Sequence, residues 1–307
     1  MSLLIRFLRL LGIAGAGLLP SAAWALDLAV VKNADGVTVR ILDGGKTVFS
    51  PITTNAALVV MSPDGRTQVR YSEVKREQGR VTLTGGSAPG LTITETLRPV
   101  HAELIERVVQ VTANSDQRYY LELGWQAPSA GDLYSFMGKE TGTQQLSLSC
   151  AGPEFAGHSQ ALQTFPLLGC LDENRFYGLL GDTPGLWENR SFMRFDAKQR
   201  LLSLTTGDGS AKRVITIPRE LDATTVYRAQ FDGWQHLERG ESARFTTWLF
   251  ASSARSLYDV QLAAHLALAN AKGFNHSGLE AILRNTSYLL LRRNLLRPES
   301  EIGRAHV

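Results

Sequence analysis

From Leu28 to about Phe250 the chain alternates short apolar or β-branched runs with turn residues. Val37 to Leu42, Ala57 to Met61, Arg80 to Thr84, Leu91 to Leu97, Leu104 to Ala113 and Tyr119 to Trp125 each read as strands. Between them sit Ala34-Asp35-Gly36, Asp43-Gly44-Gly45, Pro63-Asp64-Gly65 and Gly85-Gly86, where glycine supplies positive φ and Asp or Pro presets the bend. These four are read as hairpin turns. In Leu91-Thr92-Ile93-Thr94-Glu95-Thr96-Leu97 the alternation predicts one apolar face on a core and an opposite face of threonine or acid. Leu201 to Leu204, Arg213 to Ile217 and Phe245 to Phe250 continue the series. So many strands without a helical interruption predict an antiparallel sandwich, because a parallel sheet needs crossover helices.

The period changes after Ala251. Ser256-Leu257-Tyr258-Asp259 is a capping-box arrangement that opens an apolar-rich helix through Ala271, ended by Gly273. Ser277-Gly278-Leu279-Glu280 repeats the device and opens a second helix, with Leu279, Ile282, Leu283, Leu289 and Leu290 at helical spacing. Arg292, Arg293 and Arg297 lie near its negative end and Pro298 just beyond it. The fold class expected is therefore mainly β: a large antiparallel β-supersandwich followed by two α-helices.

The first 25 residues have a different character. Arg6 and Arg9 precede an apolar stretch from Leu10 to Leu19, and Ser21-Ala22-Ala23-Trp24-Ala25 follows with small residues at Ala23 and Ala25. That order is a secretory signal peptide with cleavage before Leu26. A membrane anchor is the alternative, but the run is shorter than the roughly 20 residues that span a bilayer. No later segment is long and apolar enough to span, so no membrane span is expected after cleavage. The expected location is periplasmic or secreted.

The division expected is 1–25 signal peptide, 26–251 sandwich, 252–300 linker or first barrel helices, and 301–307 a non-native tail. The tail, Glu301-Ile302-Gly303-Arg304-Ala305-His306-Val307, corresponds on back-translation to a common sequencing adapter read into an open frame. A genuine polar tail is the alternative.

Charge narrows the partners. Of 32 Lys and Arg, two fall in the leader, leaving 30 against 29 Asp and Glu. A balance so near neutral argues against nucleic acid, which needs a concentrated basic surface. Cys150 and Cys170 in an exported chain read as a disulfide, worth about 3 kcal/mol if unstrained. Free buried thiols or metal ligands are the alternatives, and no close His pair joins them.

The six His, the acids and the serines form no zinc spacing, nucleophile elbow, phosphate loop or dinucleotide fingerprint, so no metal and no cofactor is expected. One stretch is dense in sugar-binding chemistry: Gly181 to Arg190, with Trp187, Glu188 and Arg190 among turn residues. A ring that stacks on a pyranose, beside a carboxylate and a guanidinium that bond hydroxyls, is how sugars are held. The alternative is a structural turn with Trp187 packed inward and Glu188 and Arg190 as a surface ion pair. Phe231-Asp232-Gly233-Trp234-Gln235-His236 has the same flavour, with Trp234 the candidate and Asp232-Gly233 otherwise a simple turn. His236 near Glu238 has the makings of a poised base, although a solvated His beside a carboxylate is ordinary.

The Thr-rich alternation from Leu91 to Asn114, with Glu106-Arg107-Val108-Val109-Gln110-Val111-Thr112-Ala113-Asn114-Ser115, resembles the N-terminal supersandwich of the six-hairpin, (α/α)6-barrel glycoside hydrolases. Those enzymes run sandwich, linker helices, barrel. The resemblance implies that the two helices begin a barrel that lies outside this chain, and that the catalytic carboxylates are carried there. It implies a non-catalytic N-terminal part of an exported glycoside hydrolase acting on oligo- or polysaccharide, with Trp187 and Trp234 on loops at the rim of the sugar cleft. The alternative is an exported glycan-binding or envelope-assembly protein without enzymatic activity. A polysaccharide lyase fits less well, because its helical toroid comes first.

Overall fold

The computed structural model describes residues 25–52, 57–128, 130–135, 138–140, 143–147, 167–172, 175–181, 192–196, 198–207, 209, 213–218, 226–231, 233–253 and 257–271. Residues 1–24 of the leader, the second helix, the tail, Cys150, Trp187, Glu188 and Arg190 lie outside them.

The strands are β1 (Leu26–Asn33), β2 (Gly36–Asp43), β3 (Lys46–Pro51), β4 (Leu58–Ser62), β5 (Gly65–Gln68), β6 (Glu73–Glu77) and β7 (Arg80–Ala88). Then follow β8 (Leu91–His101), β9 (Leu104–Ala113), β10 (Gln117–Gln126), β11 (Asp132–Ser135), β12 (Gly138–Glu140), β13 (Thr143–Ser147) and β14 (Leu167–Asp172). The series ends with β15 (Arg175–Gly181), β16 (Phe192–Asp196), β17 (Leu201–Thr205), β18 (Arg213–Pro218), β19 (Val226–Phe231), β20 (Gln235–Leu237) and β21 (Ser242–Ser252), before helix α1 (Leu257–Ala271).

A ten-stranded sheet runs β1-β2-β3-β10-β17-β16-β13, with β4 and β20 also on β10 and β5 on β4. A nine-stranded sheet runs β12-β11-β14-β15-β21-β9-β8-β7-β6, and β18 pairs with β19 separately. Every strand pairing among the described residues is antiparallel, so the mainly β, two-sheet expectation holds.

Inward side chains of both sheets form one core. Ile41, Phe49, Leu121 and Trp125 come from the ten-stranded sheet and Ile93, Val109, Leu179 and Leu249 from the other. Each such side chain is worth about 1.5–3 kcal/mol on burial. The nine-stranded sheet is apolar on its far face as well, where Leu104, Phe176, Trp248 and Phe250 meet Val260 and Ala264 of α1. The helix therefore roofs a sheet whose strands carry hydrophobic residues on both faces.

Two expectations need correction. Gly85-Gly86 is not a hairpin turn: β7 runs through it, with a register shift between Leu83 and Gly86. Gly85 takes φ of +71°, which absorbs the extra residue as a bulge and lets the strand go on. Glu95 does not lie on the polar face of β8. It is 1 % exposed, in line with Leu91, Ile93 and Leu97. Arg107 of β9, itself 0 % exposed, makes that burial tolerable by donating Nε to Glu95 Oε1 at 2.8 Å and Nη2 to Oε2 at 3.3 Å. The Tyr71 hydroxyl donates to Glu95 Oε2 at 2.9 Å. Arg107 Nη2 also reaches Ala57 O at 2.9 Å, and its guanidinium sits 5.1 Å from the Trp125 ring of the opposite sheet. The pair and its partners thus tie the two sheets together through the core.

Candidate functional site

Strand β10 is the spine of the ten-stranded sheet, paired by β3 and β4 on one side and by β17 and β20 on the other. Period-two alternation sends Tyr119, Leu121, Leu123 and Trp125 into the core, all 0 % exposed. Arg118, Tyr120, Glu122 and Gly124 must then share the outer face. Register brings neighbours to them: Met61 and Val59 of β4 oppose Tyr120 and Glu122, Thr205 and Ser203 of β17 oppose Glu122 and Gly124, and His236 of β20 opposes Arg118.

On this face the structure places Trp234, the one sequence-predicted sugar-binding residue among the described positions. Trp234 directly precedes β20, and its ring lies 5.5 Å from that of Tyr120, centroid to centroid, tilted by 51°. The Arg118 guanidinium is 5.9 Å from the Trp234 ring centroid. Both rings are half-buried, so each keeps surface for a ligand. The segment is held from behind: Gln235 Nε2 donates to Thr206 O at 2.6 Å, Leu121 N donates to Thr206 Oγ1 at 2.9 Å, and Gly209 N donates to Gly233 O at 3.3 Å. Gly209, at φ +72°, lets the backbone lie against the rings, because a Cβ there would sit 3.1 Å from Trp234 and 3.2 Å from Tyr120.

Next to this ledge Glu122 is nearly closed off from solvent. Ser203 Oγ donates to its Oε1 at 3.3 Å, and Arg66 Nη2 of β5 lies 3.8 Å from its Oε2. The rings and the guanidinium together form a surface able to stack on a sugar ring and to bond its hydroxyls, with the Glu122 carboxylate closed off beside it. Sequence reasoning missed Tyr120, Arg118 and Glu122. The strand alternation of 119–125 carried the signal, since four large core side chains at every second position fix the outward set between them. His236 is exposed and faces Arg118 in the register, while the Glu238 amide is held by Glu241 Oε2 at 2.8 Å.

Cys170 of β14 is a buried thiol that donates to Ala130 O at 3.3 Å and accepts from Arg200 Nη2 at 3.1 Å. Burial pushes that thiol's pKa up, against the pull of Arg200. Its expected partner Cys150 lies outside the described residues. Among the described residues no three His, Cys, Asp or Glu side chains gather in a way that holds a metal ion, and no helix is long and apolar enough to cross a membrane.

No family model matches the chain, and no curated protein matches it. Solved structures do, at low scores. A putative kojibiose phosphorylase from the human microbiome has a TM-score of 0.37 at 12 % identity, over 86 % of this chain and 31 % of that one. Heparan sulfate lyase HepC from Pedobacter heparinus has a TM-score of 0.37 at 7 % identity, over 72 % of this chain and 31 % of that one. A galactose mutarotase-like protein from Lactobacillus casei has a TM-score of 0.38 at 8 % identity, over 73 % of this chain and 100 % of that one. The chain thus spans about a third of the length of the phosphorylase and of the lyase, and at these scores the likeness to sugar-active proteins is a coarse one of β-sheet architecture.

Proposed function

We propose that this chain is the non-catalytic N-terminal sandwich of an exported glycoside hydrolase, and that the outer face of β10 contacts its oligo- or polysaccharide. The observation that carries the reading is the half-buried Tyr120–Trp234 pair with Arg118 against Trp234 and Glu122 beside it. Two adjacent rings on a rigid sheet offer stacking area at little entropic cost, and the polar groups around them orient hydroxyls. The same ledge needs no second carboxylate, which favours, as the second reading, a glycan-binding protein with no enzymatic activity.

Titration of the full chain with neutral oligosaccharides, followed by tryptophan fluorescence, tests the ledge. Trp234→Ala is expected to weaken binding at least about tenfold, the loss of roughly 1.4 kcal/mol of stacking. Binding equal in wild type and variant would remove the ledge from the reading. The chain is also expected to release no reducing sugar from the glycans it binds. Steady hydrolysis would show that it carries its own acid pair. Export is checked by the N-terminal sequence of the secreted protein, expected to begin at Leu26.

A further inference from the structure

At one end of the sandwich three hairpin ends converge. Asp43 and Lys46 flank the β2–β3 turn, Ala102 and Glu103 form the β8–β9 turn, and Asp172 and Arg175 close the facing ends of β14 and β15. Their side chains interlock. Lys46 Nζ lies 2.6 Å from Asp172 Oδ2, Arg175 Nε lies 2.5 Å from Asp43 Oδ2, Arg175 Nη2 lies 3.7 Å from Glu103 Oε1, and the Tyr177 hydroxyl donates to Asp43 Oδ2 at 3.0 Å. Two features are left over. The Asp43 side chain is 0 % exposed, yet its Oδ1 has no hydrogen-bond partner among the described residues. And among the described residues the cluster sets three carboxylates, Asp43, Asp172 and Glu103, against two cations, Lys46 and Arg175, one positive charge short.

Leu26 stands at this place. It opposes Asp43 in the β1–β2 register, with both side chains buried, and its backbone N donates to Ala102 O at 2.7 Å. That bond turns the amide away from β2 toward the β8–β9 turn, so Leu26 and Asp43 form the close, non-hydrogen-bonded type of pair, with Cα atoms about 4.5 Å apart. Ala25, just ahead, is exposed.

We infer that the cluster is a binding site for the α-ammonium group that leader removal creates at Leu26. The inference rests on the export reading for the existence of that amine. Hydrolysis of the Ala25–Leu26 bond consumes one water, leaves a carboxylate on Ala25 of the leader, and frees an amine on Leu26 that takes up a proton. The neutral amide of the precursor has one donor, already given to Ala102. The ammonium has three, and it supplies the missing charge beside the open oxygen of Asp43. The fold is then most stable after processing, with the new terminus locked into the three converging hairpin ends.

The test uses the processed chain, residues 26–307, prepared by site-specific proteolysis with a free Leu26 amine, so that it runs wherever the cell itself cleaves. Three proteins are compared: this chain, the same chain retaining Ala25, and Asp43→Asn. An amine-reactive succinimidyl ester at neutral pH is expected to label the Leu26 amine at least tenfold more slowly than the terminus of either of the other two. Retaining Ala25 leaves every cluster residue intact and is expected to lower Tm by about 5 °C. Equal labelling rates with Tm values within about a degree would overturn the ammonium site. The secreted protein is sequenced separately: a terminus other than Leu26 would refute the export reading at this bond while leaving the chemistry of the prepared chain to decide the site.

Discussion

Replacing Arg107 by alanine is expected to destabilise the protein by about 3–5 kcal/mol, because it strands a carboxylate in the core. Glu95 would keep the hydrogen bond from the Tyr71 hydroxyl, at 1 % exposure, with no Arg107 guanidinium to offset its desolvation. Ala57 O would lose one of its two donors, keeping the Gly124 amide at 3.1 Å, and the Trp125 face would lose its guanidinium. Urea denaturation followed by circular dichroism measures the loss. The companion change discriminates between stabilisation and charge balance. Glu95→Leu with Arg107→Met removes both charges and fills the space with apolar atoms, and is expected to be neutral or stabilising. A single Arg107→Ala variant that loses less than about 1 kcal/mol would mean that water reaches the pair and that it does not bridge the sheets.

That pair also marks the limit of what the sequence discloses. The strands with strong alternation or long apolar runs were legible: Leu104 to Ala113 coincides with β9, and 119–125 falls inside β10. Three of the four glycine-bearing turns were legible too, because Asp or Pro next to glycine specifies a bend without reference to anything distant. Glu95 was misplaced because period two says which residues share a face but not which face is wet, and a carboxylate was taken as a marker of water. Its partner Arg107 lies in the neighbouring strand, and only the β8–β9 pairing reveals that they meet. Gly85-Gly86 was misread for a related reason: positive φ is common to turns and bulges, and the partner strand decides between them. Trp234 was singled out by composition alone, whereas Tyr120 and Arg118 were invisible as its neighbours until β20 docked on β10.

Stability is expected to fall steeply above about pH 10, with buried phenols as the cause. Tyr71 is held well above the ordinary tyrosine pKa, first by burial and then by the charge of Glu95. Tyr119 is raised by burial, and Tyr177 by burial and then by Asp43. In each case the fold favours the neutral phenol, so the folded protein keeps a proton that the unfolded chain gives up near pH 10.0. The stabilising contribution is therefore complete below that pH and is lost as pH rises toward the folded-state values. Each phenol adds a slope of up to about 1.4 kcal/mol per pH unit, so the three together outweigh a marginal stability within a few units. Phenolate absorbance gives an independent readout. Of the eight tyrosines, these three are expected to ionise only as the protein unfolds, in step with the loss of circular dichroism. Tyr119→Phe keeps the ring in the core and deletes one titrating group, so it should reduce the alkaline slope by about a third while leaving the profile below pH 9 nearly unchanged. If all eight instead titrate together near pH 10 while the fold persists, the core around β10 is open to hydroxide, and the rigid sheet on which the Tyr120–Trp234 ledge depends is not there.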